Sequence, residues 1–224
     1  MTVLLRAIVV ASDAAKARGA DPALVVARAG AIVALASHHD GALTAETPAL
    51  LEHHRIVGEI FERVPCLPAR FGGVFADART LGIRLAEREG ELALALAKVG
   101  QRCELAVTLA WKPEGALVDG SATVAATGRD YLERGRAQLR ALRSREARAN
   151  AVVARLVAEL RLEQAFTRHE TCPRPAVAAS MSLLVTRDRI AVMRSRIEEF
   201  GATLPDITTT VQGPWPPYTF AVSA

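Results

Sequence analysis

The chain has 224 residues, room for one large or two small domains, and half of them are apolar while 23% are charged, a balance that excludes global disorder. Aromatics supply only 4%, so a core has to be built from Ala, Val, Leu and Ile. The net charge of +4 is local: residues 1–100 carry 11 basic and 11 acidic side chains, whereas Arg129–Arg148 alone carries seven Arg against Asp130, Glu133 and Glu146.

Thr2–Val10 reads as a first strand. It does not read as a signal peptide, because Arg6 interrupts its short apolar run and no basic segment precedes it. No uncharged run approaches the roughly 20 residues of a membrane span. Asp21-Pro22 could open a helix, but Val25, Val26, Ile32 and Val33 favour two strands turning at Gly30. Thr47-Pro48 opens a helix whose apolar face is Leu50, His54, Val57 and Phe61, and Pro65 ends it. Cys66–Phe75, around Pro68, is an irregular or edge strand. Asp77 caps a helix over Ala78–Glu89; a second runs from Glu91 to Val99 and closes at Gly100. Cys103–Trp111 is a central strand, and Gly115–Gly128 is the most loop-like stretch.

From Arg129 to about His169 helical periodicity runs through Leu132, Leu139, Leu142, Ala149, Val152, Leu156 and Leu160. As one helix this exceeds about 50 Å; a break within the polar Arg143–Asn150 stretch is the alternative. Ser180–Thr186 is a strand, Asp188–Phe200 a helix with Gly201 as its C-cap, and Ile207–Gly213 the last strand. Both halves are α+β, with a boundary near Gly100 that gives domains 1–100 and 101–224.

The three cysteines, Cys66, Cys103 and Cys172, are too sparse for a disulfide framework or a structural zinc site and fit a reducing cytoplasm. His38-His39-Asp40 and His53-His54 suggest metal ligands, but neighbours on a helix point about 100° apart and cannot easily face one ion. They read as core or surface histidines, and no cofactor is expected. No nucleophile has a base in a recognisable motif, and Cys66, between Pro65 and Leu67, reads as an inert buried thiol. The arginines of 129–148 admit three readings: a solvated helix face, a phosphate- or nucleic-acid-binding surface, or a docking face for an acidic protein. Only Tyr131 interleaves with them, which leaves base stacking little to work with.

Two segments are too particular for filler. Pro65-Cys-Leu-Pro-Ala-Arg-Phe-Gly-Gly-Val-Phe presents Arg70, Phe71 and Gly72, and Gly213-Pro-Trp-Pro-Pro-Tyr-Thr-Phe presents Trp215, Pro216, Pro217 and Tyr218. Each is either a rigid structural frame or a preorganised surface for another protein. Trp215 is expected to pack on the core of the second domain, and Arg70 to be paired if it is buried.

These segments, with Leu51-Glu-His-His-Arg-Ile-Val before them and Gly128-Arg-x-Tyr-Leu between them, resemble in order the gas vesicle protein F/L (GvpF/GvpL) family. Ala69 and Gly73 depart mildly from the expected pattern. The resemblance implies two α+β domains, the second like a modified ferredoxin fold with a long helical arm. It implies a cytoplasmic, non-enzymatic accessory protein of gas vesicle assembly, associated with the vesicle, with no catalytic residues to carry over. The expected partners are the small hydrophobic shell protein and other gas vesicle proteins, with neither nucleic acid nor membrane among them. The alternatives are a small-molecule-binding or metal-assisted enzyme on a ferredoxin-like scaffold, and a phosphate- or nucleic-acid-binding module using Arg129–Arg148.

Overall fold

A computed structural model of the chain describes residues 2–40, 45–113 and 128–221. The chain divides into two compact units: Met1–Leu105 with Leu184–Asp188 and Gly213–Ala224, and Ala106–Leu183 with Arg189–Gln212. Both mix helix and sheet.

In the first unit, β1 (Thr2–Val10) pairs antiparallel with β3 (Ile32–His39), which pairs with β2 (Val25–Ala29) across the turn at Gly30. The β-branched residues at 25–26 and 32–33 thus form strands, while a short α1 (Ala14–Arg18) precedes them. The other side of β1 is covered by two short strands, β4 (Leu67–Pro68) and β5 (Val74–Phe75). Pro68 is tolerated there because β4 is an edge, where a missing N–H costs no ladder bond. Three helices complete the unit, α2 (Thr47–Arg63), α3 (Ala78–Glu87) and α4 (Glu89–Val99), and β1 is buried at every position from Val3 to Val9, so both of its faces are covered. Asp77 caps α3 as expected, accepting from the Thr80 N–H at 2.7 Å.

The buried face of α2 is His53, Ile56, Val57, Ile60 and Phe61. The stripe expected from the sequence is therefore rotated by one residue at its start: His53 is inside, His54 is outside, and Leu50 is exposed. The i, i+3, i+4 pattern fits either histidine, and only the sheet below selects one.

The second sheet has the order β7-β8-β6-β9, formed by β6 (Arg102–Trp111), β7 (Thr167–Arg174), β8 (Val177–Thr186) and β9 (Ile207–Trp215). With α5 (Gly128–Leu160) and α6 (Ile190–Ala202) the chain order is β-α-β-β-α-β. α5 is a single unbroken helix of 33 residues, about 50 Å long. It ends at Leu160, and the residues from Thr167, expected to continue the helix to about His169, form β7 instead. β7 pairs antiparallel with β8, from Thr167↔Leu183 to Arg174↔Val177, and that ladder outweighs weak local preference. The expected loop at Gly115–Gly128 lies outside the described residues up to 127, and Gly128 already begins α5.

Within the second unit, Ala149, Val152, Val153, Leu156 and Leu160 of α5 are buried, as are Met193, Ile197 and Phe200 of α6. Arg155 lies over the Phe200 ring at 5.3 Å. Gly201 is not a cap; α6 runs on to Ala202, with Thr203 at its end. Its role is proximity, since a Cβ there would stand 2.5 Å from Thr209 Oγ1 and 2.8 Å from Thr209 Cβ. Alanine would bring about 1 kcal/mol of helix propensity, but the short, stiff Thr209 cannot swing aside. Gly201→Ala is therefore expected to destabilise by about 1–3 kcal/mol, with recovery in Gly201→Ala/Thr209→Ala, as read by denaturant unfolding.

Candidate protein-binding site

The site begins with a buried charge. The register of β1 against β3 shifts between Leu5 and Ala7, so Arg6 sits on a β-bulge. A bulge re-aims a side chain, and this one leaves a guanidinium buried beneath α2. Arg6 Nε donates to Ser37 Oγ and Arg6 Nη1 to His53 Nδ1, both at 2.9 Å. His53 Nε2 lies 2.8 Å from the Ala69 carbonyl oxygen. These partners fix the tautomer: Nδ1 accepts from an arginine that has no lone pair to offer, so Nε2 carries the proton and donates to Ala69. Burial first, then the Arg6 and His54 charges, push the His53 pKa down against the opposing bond to Ala69. Burial likewise lowers the Arg6 pKa.

The relay holds the Pro65–Phe75 segment in place. Ala69 N donates to the Arg6 carbonyl oxygen at 2.9 Å, and Phe71 meets the His53 ring edge-to-face at 5.5 Å. Phe71 is half-buried, while Arg70 and Gly72 are exposed, so Arg70 does not need the partner a buried charge would require.

The closing segment reaches the same place. Gly213 has φ +111°, and a Cβ there would lie 2.6 Å from the Glu104 carbonyl oxygen, so both conformation and space demand glycine. The Gly213–Pro214 bond is cis. Pro216 and Pro217 are buried. The buried Glu104 carboxylate then accepts from Thr219 N at 2.9 Å and from Thr219 Oγ1 at 2.6 Å. Trp215 does not pack into the core of the second domain as expected. It belongs to the first unit, is 41% exposed, and meets His54 edge-on at 5.7 Å. Between two rigid Pro positions and a left-handed Gly, the backbone directs it outward.

Tyr218 completes a cleft of about 240 Å³ whose other walls include Leu67, Pro68, Ala69, Arg70 and Phe71. The two segments singled out in the sequence, about 150 positions apart, thus line one cleft of the first unit. Burial pushes the Tyr218 phenol up to about 12 and the Cys66 thiol up to about 12, so near neutral pH neither is a base or a nucleophile. Among the described residues no group of three or more His, Cys, Asp or Glu side chains is placed to hold a metal ion. No helix among them is long and apolar enough to cross a membrane.

The family model for "Gas vesicle synthesis protein GvpL/GvpF" matches residues 7–222. The chain belongs to the GvpL/GvpF family. It is 32% identical over 183 residues to gas vesicle protein L of Streptomyces sp. (strain CB03234), covering 75% of this chain and 67% of that one. The crystal structure of GvpF from Anabaena sp. PCC7120 superposes with a TM-score of 0.74 over 100% of this chain and 99% of that one, at 15% identity. GvpF from Microcystis aeruginosa gives 0.71 over 99% of both chains, at 13% identity. At such identities these two likenesses speak to the fold, which is α+β as expected.

For this GvpL/GvpF member, the sequence reading located the two cleft segments but missed what supports them: Arg6, His53, Glu104 and Thr219. Arg6 had a signal, a charge inside an apolar strand. His53 had one only in hindsight, as half of a pair in the Leu51–Val57 motif. Glu104 had the same signal as Arg6, within Cys103–Trp111.

His53→Ala takes away the acceptor of Arg6 Nη1 and the donor to the Ala69 carbonyl in the interior and is expected to cost about 2–4 kcal/mol of stability. The pH dependence follows from the sign of the shift. With the folded-state pKa below the unfolded value, the unfolded chain takes up the proton first, so stability is full above about pH 7 and declines as pH falls below about 6.5. Stability curves at several pH values, compared between the wild type and His53→Gln, are expected to show that component in the wild type alone. Glu104→Ala removes two hydrogen bonds that hold Thr219, so limited proteolysis is expected to cut beyond Gly213 much faster in that variant.

Proposed function

We propose that this chain is a non-enzymatic accessory or minor structural protein of gas vesicle assembly, and that the cleft of its first unit binds the small hydrophobic shell protein. The observation that carries the reading is the convergence of Arg70, Phe71 and Gly72 with Tyr218 of the closing segment on that cleft. One exposed cation, two aromatic rings (Phe71 and Tyr218) and a rigid floor match the usual composition of a protein-binding hot spot. At about 240 Å³ the cleft is smaller than typical small-molecule pockets and suits one or two inserted side chains. A shell subunit that self-assembles through apolar surface is an aggregation hazard until assembled, and a groove that covers part of that surface delays association. Other gas vesicle proteins are further partners in this reading, and the cytoplasm, at the vesicle, is its place of action.

Because Arg70 is exposed, Arg70→Glu is expected to keep the wild-type melting temperature within a few degrees. Co-purification with the shell protein is expected to fall about tenfold or more. Undiminished capture by folded Arg70→Glu would remove the cleft from the binding surface.

A further inference from the structure

The long helix α5 changes character halfway. From Ala149 onward its apolar stripe is buried, but Arg129 and every residue from Tyr131 to Ala147 except the half-buried Gly135 are exposed. The stripe itself continues. Counting back in heptads from the buried Ala149, Val153, Leu156 and Leu160, the a and d positions are Glu146, Leu142, Leu139, Gly135 and Leu132. Leu132, Leu139 and Leu142 are 60%, 56% and 62% exposed. A solvated helix face does not need leucine at three of five seam positions.

The flanks are equally regular. Position e of successive heptads is Arg129, Arg136 and Arg143, while g is Tyr131, Gln138 and Arg145. Gly135, with nothing within 4 Å of where a Cβ would be, leaves a notch in the seam for a large side chain. At the base of the exposed half, Leu142 and Trp111 line a cavity of about 440 Å³ with Cys172 and Pro175, and Arg145 lies over the Trp111 ring at 5.0 Å.

We propose that this exposed half of α5 is the docking face for an acidic amphipathic helix of a partner protein. The occupant packs apolar side chains along Leu132–Leu142, fills the notch at Gly135, and places an anchor in the Trp111–Leu142 cavity. Charge decides against the rival occupants. A second copy of α5 would set the e-position arginines against one another when antiparallel and against Tyr131, Gln138 and Arg145 when parallel, so no carboxylate faces them either way. A nucleic acid would satisfy the arginines but leave the leucine seam in water. A helix with Glu or Asp flanking its own apolar seam satisfies both.

The test uses the whole chain and a labelled synthetic three-heptad peptide with Leu at a and d and Glu at e and g. Fluorescence anisotropy is expected to show binding that weakens with added salt. Leu139→Asp and Arg136→Glu/Arg143→Glu are each expected to weaken it about tenfold or more, with unchanged melting temperatures because the sites are exposed. A peptide with Lys in place of Glu is expected to bind only the charge-reversed protein. Failure of the acidic peptide to bind, or equal binding by folded Leu139→Asp, overturns the proposal. So does dimerisation abolished by Leu139→Asp, which assigns the seam to a second copy. Tighter binding of duplex DNA, lost on charge reversal, also overturns it and assigns the arginines to nucleic acid.

Discussion

The first unit is organised around one buried guanidinium. Arg6 interrupts the most apolar strand of the chain, and a charge there is tolerable only if it is fully engaged. The bulge at Leu5/Ala7 turns it toward Ser37 and His53, and its own carbonyl takes the Ala69 N–H. Each bond constrains a different element: β3 through Ser37, α2 through His53, and the cleft floor through Ala69. The neutral histidine between Arg6 and Ala69 transmits the constraint, since it accepts on one nitrogen while donating from the other. The rotation of α2 about its axis and the position of the Pro-rich floor therefore follow from the same side chain.

The closing segment is held by a second buried charge of opposite sign. Glu104, near the start of β6, takes two bonds from Thr219 and so fixes a stretch that has little regular structure of its own. Gly213 and the flanking prolines leave that stretch almost no conformational freedom. A surface built this way gives up little entropy on binding. The same rigidity explains why Trp215 can remain exposed: the frame, not aromatic burial, defines its position.

In the second unit the leading feature is a helix made of two physically different halves. The part after Arg148 is stabilised by burial against α6 and β7. The part before it is largely exposed, is tied to the rest of the unit near Leu142 and Arg145, and relies mostly on Arg, Ala, Leu, Glu and Gln, all strong helix formers. The ion pair of Arg148 with Asp206 marks the changeover; both groups are more than a third exposed, so it orients the helix more than it stabilises it.

What the sequence determined by itself was whatever depends on local chemistry. The β-branched run placed β1, β2 and β3, Asp77 and Pro65 placed the limits of two helices, and helical periodicity marked α5 while leaving open a break within Arg143–Asn150. The motifs were enough to indicate the GvpL/GvpF family, because their residues are constrained by backbone geometry that shows in the chain. Tertiary structure alone decided three things. His53 and His54 are equivalent to a helical wheel, and the Arg6 bulge selects the first. Thr167–Arg174 lacks a strong local preference, and pairing with β8 makes it a strand. Trp215 in a proline frame reads equally as core or surface, and the direction set by Gly213 turns it outward. For the histidine and for β7 the deciding partner lies far away in sequence, at Arg6 and Leu183, where no local pattern can register it; for Trp215 it is the φ of +111° at Gly213, whose backbone packs against the Glu104 carbonyl.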